Sequence, residues 1–123
     1  MANELTISGL TIQFTKSAMP SVNFTAGTLS ITVSGTQLMD NVQAVGTSEE
    51  AILMGDVAAG GWCFFQNMDA TNFVEIRSGT GATDLIKLLA GEFALFRMSA
   101  DSSAPYAIAD TGACNLRVLR FDL

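Results

Sequence analysis

The second half of the chain consists of short apolar runs that follow one another at nearly regular spacing, each closed by a turn signal. These runs cover residues 62–66, 72–77, 85–89, 92–98, 106–109 and 116–121. Several of them have apolar residues at both odd and even positions, so both faces of the strand would be apolar. Short strands spaced about 8–12 residues apart are typical of a β-sandwich or barrel. We count about ten strands in the whole chain, and the sequence predicts an all-β fold.

Residues 61–77 have the pattern of a β-hairpin. The apolar run that begins at Trp62 and the run that ends at Arg77 are separated by the polar residues 67–70. Asn67 and Asp69 are suited to turns because their side chains can hydrogen-bond the backbone close to them. We therefore expect two neighbouring strands joined at this turn.

A helix is the alternative for residues 82–98. Apolar side chains recur there at helical intervals, at Leu85, Ile86, Leu89, Phe93 and Phe96. Gly91 in the middle would cost such a helix about 1 kcal/mol relative to alanine. Because no capping signal supports the helix either, we favour strands.

The first part of the chain alternates between apolar and polar residues, with a change of phase at Gly9. Leu5 and Ile7 have one parity, while Leu10, Ile12 and Phe14 have the other. A glycine at a phase change suggests a β-bulge or a tight turn between two short strands. A loop is expected over 16–20. We predict a single sandwich domain over 1–123, with residues 1–20 as a candidate N-terminal arm that adds a strand to a neighbour.

The composition predicts a homo-oligomer. Of the 123 residues, 49% are hydrophobic and only 15% are charged, and the mean hydropathy is +0.37. Obligate oligomers bury apolar area at their interfaces as well as in their cores. We therefore expect another subunit to cover part of the apolar surface.

The charge argues against direct contact with nucleic acid. The chain has six basic and twelve acidic residues, a net charge of -6, and its basic residues form no stripe of the kind that phosphate binding needs. No apolar run approaches the ~20 residues of a membrane span, and the N-terminus lacks the features of a secretory signal. Cys63 and Cys114 lie far apart in the sequence, which favours two buried, reduced thiols in a protein made in a cytoplasm.

The sequence predicts no catalytic, cofactor-binding or metal-binding residues, and hence no enzyme. The absence of histidine excludes Ser-His-Asp and Cys-His arrangements and a three-histidine metal site. The glycine-rich segment 78–84 lacks the lysine of a phosphate loop and is interpreted as a hairpin loop. Glu49, Glu50 and Asp56 lack calcium-loop spacing and are interpreted as solvated carboxylates. We expect Trp62 to pack in the core between sheets, with sugar stacking or interface anchoring as alternatives.

Three segments resemble small virion proteins of tailed bacteriophages. The segments are GWCFFQNMDATNFVEI at 61–76, KLLAGEFALFRM at 87–98 and PYAIA at 105–109. The resemblance covers roughly residues 45–123, and the first 45 residues show little of it. The Leu-Gly-Glu turn before an apolar strand also resembles jelly-roll proteins in general. The resemblance implies a jelly-roll-like antiparallel β-sandwich in a phage particle, and it implies no catalytic residues.

The leading functional expectation is a capsid cement or decoration protein that stabilises a phage head by bridging major capsid subunits. Such a protein would be made in the bacterial cytoplasm and lie on the outer capsid surface, because packaged DNA repels an acidic protein. A trimer would match a local three-fold axis of the capsid. The alternatives are a tail component (fibre, tip or neck) and a carbohydrate-binding jelly roll that uses Trp62 or Tyr106.

Overall fold

The computed structural model describes residues 4–57, 60–99 and 104–121, and it is built from antiparallel β-strands. It divides into two compact units, with the boundary between Val33 and Ser34. The strands are β1 (Leu5–Ile7), β2 (Thr11–Phe14), β3 (Val22–Thr25), β4 (Leu29–Ile31), β5 (Leu38–Val45), β6 (Glu50–Ala51), β7 (Gly61–Asn67), β8 (Val74–Arg77), β9 (Asp84–Leu88), β10 (Phe93–Met98), β11 (Tyr106–Ala109) and β12 (Cys114–Phe121). The all-β prediction is confirmed.

The first unit is one long β-hairpin. β1 pairs with β4, and β2 pairs with β3. The backbone N–H of Ala26 donates to the carbonyl of Leu10 at 3.0 Å and links the two ladders. The expected loop over 16–20 forms the turn, where the N–H of Met19 donates to the carbonyl of Lys16. The candidate arm over 1–20 therefore corresponds, in its described part, to β1, β2 and the turn of this hairpin.

The hairpin keeps one register through its interruption at Gly9. As many residues separate Ile7 from Thr11 as separate Thr25 from Leu29 on the facing strand. Neither strand contains an extra residue, so the bulge or tight turn expected at Gly9 is wrong. Gly9 instead has a φ of 77°, in the left-handed region that glycine occupies without steric cost. It interrupts the strand without reversing it.

The second unit is a sandwich of two four-stranded sheets with jelly-roll topology. The first sheet has the order β10-β7-β12-β5, and the second has the order β6-β11-β8-β9. Counted within this unit, the strands run 6-3-8-1 and 2-7-4-5, the order of an eight-stranded jelly roll. The predicted jelly-roll-like antiparallel sandwich is thus confirmed for the described residues of this unit.

The core lies between the two sheets and takes alternate residues from each strand. Along β7 the buried positions are 61, 63, 65 and 67, and along β12 they are 114, 116, 118 and 120. The buried apolar residues are Met39, Val45, Ile52, Val57, Cys63, Phe65, Val74, Ile76, Leu88, Met98, Ala107, Ala109, Cys114, Leu116 and Val118. Cys63 and Cys114 are free thiols in this core, as the sequence predicts.

The predicted hairpin over 61–77 is wrong, because its two strands do not pair, but the turn predicted between them is present. β7 pairs with β10 and β12, whereas β8 pairs with β9 and β11 in the other sheet. The chain therefore crosses between sheets at 68–73. The Asx turn is confirmed, because Oδ1 of Asn67 accepts from the N–H of Asp69, and the Asp69 carboxylate accepts from the N–H groups of Thr71 and Asn72.

The helix considered for residues 82–98 does not form, and the favoured strands β9 and β10 are present. Gly91 has a φ of 82° in the turn between them, which an α-helix cannot accommodate. The apparent helical spacing has a local cause. The register of β8 with β9 shifts where Arg77 faces Asp84, so Leu85 is an extra residue that moves the following apolar residues out of simple alternation.

Replacing Asn67 with alanine should lower the free energy of unfolding by about 2–4 kcal/mol. Asn67 is fully buried, and its Nδ2 donates to the carbonyls of Asn72 and Leu88 at 2.8 and 3.0 Å. Both carbonyls would lose a donor. Urea denaturation measures the change, and the exposed Asn115→Ala is the control, expected within about 0.5 kcal/mol of the unsubstituted protein. Equal effects of the two substitutions would contradict this role of Asn67.

Candidate functional site

The first sheet has an apolar outer face, which is the main candidate site of the sandwich. Its residues occupy the strand positions between the buried ones, because successive side chains of a strand point to opposite sides of the sheet. We call this set the outer apolar face: Leu38, Val42, Trp62, Phe64, Phe93, Leu95, Leu119 and Phe121. All four strands of the sheet contribute to it.

The side chains of the outer apolar face contact one another. The rings of Phe64 and Phe93 lie 5.5 Å apart, and Phe64 faces both Leu95 and Leu119 on the neighbouring strands. The face is open to solvent at both edge strands, where Phe93 is 52% exposed and Leu38 is 63% exposed. It therefore spans the sheet from one edge to the other.

Charged groups on this side of the sheet are paired with neighbours. The Arg117 guanidinium bonds the Asp40 carboxylate at 3.0 Å, and the Arg97 guanidinium lies over the Trp62 ring at 5.7 Å from its centroid. A guanidinium in this position is attracted by the negative face of the ring. Both arginines are thus in contact with neighbouring side chains of the sheet, and the charge of Arg117 is compensated by Asp40.

Trp62 does not pack between the sheets, and that prediction is wrong. It lies between the buried residues Gly61 and Cys63 on β7, so its side chain points outward. Its Nε1 atom is buried and has no hydrogen-bond acceptor among the described residues. Trp62 is a half-buried member of the outer apolar face, which agrees with the alternative of an interface position.

The outer face of the second sheet differs in character, because charged residues face one another across its strands. Glu75 faces Lys87 on β9 and Ile108 on β11. Arg77 faces Tyr106, and the Lys87 ammonium lies 4.0 Å from the centroid of the Phe73 ring. The two outer faces of the sandwich are therefore unequal, one apolar and one charged.

Glu49 is held in a network rather than solvated, so the prediction for this residue is wrong. Its carboxylate accepts from the Thr80 hydroxyl at 2.6 Å, the Gly81 N–H at 2.9 Å and the Arg77 guanidinium at 2.7 Å. Arg77 also pairs with Asp84 at 2.6 Å. The predicted β8–β9 hairpin loop is confirmed. The N–H of Gly81 in this loop donates to the Glu49 carboxylate.

Glu50 is also tied to the fold, and Asp56 is exposed as expected. One Glu50 oxygen accepts from the buried Gln43 side chain at 3.1 Å, and the other accepts from the Gly46 N–H at 3.1 Å. The Gln43 amide also bonds the backbone of residues 51 and 53. Glu49 and Glu50 therefore hold the segment between β5 and β6 in place.

An apolar cavity of about 490 Å³ opens between the sheets beside the edge strands β9 and β10. Its walls include Ile76 and Ile86 from the second sheet and Ala94, Phe96 and Met98 from the first. Among the described residues of the lining, Arg77 is the one that carries a charge, and it is paired with Glu49 and Asp84.

Both thiols are held in their protonated form. Burial raises the pKa of Cys63, although the nearby Arg120 partly opposes this effect. Nε of Arg120 lies 3.3 Å from the Cys63 sulfur, and the same guanidinium donates to the carbonyl of Gly60. Burial, followed by the charges of Asp69 and Asp110, raises the pKa of Cys114. Thiols with raised pKa values are poor nucleophiles at neutral pH.

Within the described part of the chain, no three His, Cys, Asp or Glu side chains lie close enough together to bind a metal ion. The described residues also contain no helix that could cross a membrane. Comparison with protein-family models, curated proteins and solved structures finds no match.

The Glu49 network should make stability fall in acid. Hydrogen bonds from Thr80 and Gly81, and the charge of Arg77, lower the pKa of Glu49 below its ordinary value of 4.5. A lowered carboxyl pKa stabilises the fold above the ordinary value, and this stabilisation is lost as pH falls through the lowered value. Thr80→Ala should reduce the loss of unfolding free energy between about pH 5 and pH 3. Urea titrations at each pH measure it.

Thr83→Ala is the matched control on the same loop, since Thr83 is exposed and is not among the groups that lower the pKa of Glu49. It should leave the pH dependence of stability unchanged. A pH profile that is identical for both variants would contradict the role of Thr80.

Proposed function

We propose that this protein is a structural protein of a bacteriophage virion, and most specifically a capsid cement protein that bridges major capsid subunits. The inequality of the two outer sheet faces carries the proposal. A sandwich that needed only to be soluble could place polar residues on both outer faces. Large exposed apolar patches mark interaction sites on soluble proteins, and the outer apolar face has this character.

The proposal also draws on the resemblance of three segments to virion proteins of tailed phages. The similar segments 61–76 and 87–98 include β7 and β10, which contribute Trp62, Phe64, Phe93 and Leu95 to the outer apolar face. The segments that resemble virion proteins are therefore among those that build the candidate surface. A cement protein needs such a surface, and it needs no catalytic residue.

The charge favours the outside of the capsid. A chain with net charge -6 is repelled by packaged DNA and remains soluble before assembly. On a capsid, a trimer of this chain would match the local three-fold axes. The partners in this proposal are the major capsid protein and further copies of the same chain.

The carbohydrate-binding alternative has less support. A stacking platform needs an aromatic ring with an open face. Arg97 lies over the Trp62 ring, and Tyr106 is half-buried beside Arg77.

A tail component remains the second structural candidate. Copy number distinguishes the two, because a cement protein is present in hundreds of copies per particle, as an order-of-magnitude consequence of lattice symmetry.

Phe93→Asp should abolish binding to the capsid and leave the fold intact. Phe93 is 52% exposed on an edge strand, so the carboxylate stays in water in the free protein but would be buried without a partner in the complex. Leu85→Asp is the matched control, because Leu85 is 78% exposed on β9, the edge strand of the second sheet. We expect cosedimentation with cement-free heads for Leu85→Asp and none for Phe93→Asp, with unchanged circular dichroism for both.

Two results would contradict the proposal. The first is equal binding of the two variants to the heads. The second is absence of the unsubstituted protein from purified particles, measured by quantitative mass spectrometry against the major capsid protein.

A further inference from the structure

The hairpin of the first unit is amphipathic across its facing pairs. Ile12 faces Phe24, and Phe14 faces Val22. Because facing residues lie on the same side of a ladder, these four side chains share one face, which we call the hairpin apolar face. They are 54%, 57%, 39% and 46% exposed, respectively. The alternate pairs on the other face are polar, Thr11 with Thr25 and Gln13 with Asn23.

This hairpin carries an unusual share of the exposed apolar side chains. Fourteen large apolar side chains are exposed among the described residues, and seven of them lie between positions 10 and 29. A two-stranded hairpin is marginally stable in water unless its apolar face packs on something. The fold of the first unit therefore calls for a partner surface.

The charge distribution indicates which partner fits. Residues 5–33 contain one charged side chain, Lys16, and all acidic residues except Glu4 follow position 33. Two copies of this chain, each with a net charge of -6, repel each other through the acidic part. The hairpin is the part through which copies can approach with little repulsion.

The strand edges of the hairpin also lack protection against pairing. Soluble proteins guard free edges with charged side chains, with proline or with bulges. β2 and β3 contain neither a charged residue nor a proline, and their pairing has no register shift. Lys16 and Pro20 both lie in the turn. β2 and β3 therefore have none of these devices against association with another copy.

We infer that the hairpin apolar face is a self-association surface, which packs on the hairpin apolar face of a second copy of this chain. The face is neutral and has no charged group that would select a charged partner, whereas an identical face complements it in both polarity and charge. Two identical faces that pack on each other form a two-fold contact between two copies. The inference therefore specifies one pairwise contact of the homo-oligomer in the proposed function and rests on that part of it, and the three-fold contacts of a trimer would use other surfaces. It requires no capsid.

Native mass spectrometry of two double variants tests the inference. Ile12→Asp with Phe24→Asp places two carboxylates on the hairpin apolar face, and Gln13→Asp with Asn23→Asp places two carboxylates at the next facing pair on the polar face. The unsubstituted protein should appear as a multiple of 13.0 kDa. The first variant should be monomeric, with association weakened at least about a hundredfold, while the second should keep the oligomer.

Cysteine cross-linking provides a second test that does not add charge. Cys63 and Cys114 are buried, so a single introduced thiol on the hairpin reports on its own face. Under mild oxidation, Ile12→Cys should form disulfide-linked dimers on a denaturing gel, and Gln13→Cys should form none. The fluorescence of Trp62, the single tryptophan, shows whether the sandwich of each variant remains folded.

The outcomes separate this inference from the proposed function. An unsubstituted protein that is monomeric in solution, or equal cross-linking at positions 12 and 13, would overturn self-association through the hairpin, whether or not the protein binds heads. An oligomer that depends on Ile12 and Phe24 but never binds heads would support the inference while contradicting the cement function.

Discussion

The strict alternation of the central strands β7 and β12 determines how this protein divides its apolar residues. Every second residue of β7 enters the core, so Trp62 and Phe64 must point outward. A sandwich has a single inner layer, and here residues in the inward phase, such as Phe65, Leu116 and Val118, form it. Apolar residues in the outward phase therefore form the outer apolar face, and those of the N-terminal hairpin form a second exposed surface. The apolar residues that do not enter the core therefore lie on these two surfaces.

The polar groups with the most hydrogen bonds serve the fold. Asn67 satisfies backbone groups where the chain crosses between sheets, and Glu49 joins its own segment to the β8–β9 loop through Thr80 and Gly81. Arg120 lies buried beside Cys63. These contacts give a structural role to polar residues that could be mistaken for functional-site residues in the sequence. They also tie the loops at the ends of the sandwich to the strands.

Much of the fold could be predicted from the sequence, because short alternating runs and turn signals are local features. The strands of the second half, the Asx turn at Asn67 and the loop before Asp84 are of this kind. Strand partners are not local, and this explains the failure of the hairpin over 61–77, whose two strands belong to different sheets. The side to which Trp62 points could not be predicted either, since a strand that is apolar on both faces gives no sign of which one is buried. The role of Glu49 depends on Thr80, which is distant in sequence and close only in the fold.

The central claim is that the outer apolar face of the first sheet and the hairpin apolar face become covered on assembly, while the charged outer face of the second sheet stays in water. Hydroxyl-radical footprinting of the assembled and the dissociated protein tests it most directly. The account predicts that assembly protects Phe93 and Phe24 from oxidation and leaves Tyr106 unchanged. Protection confined to Tyr106, or no difference between the two states at Phe93 and Phe24, would contradict it.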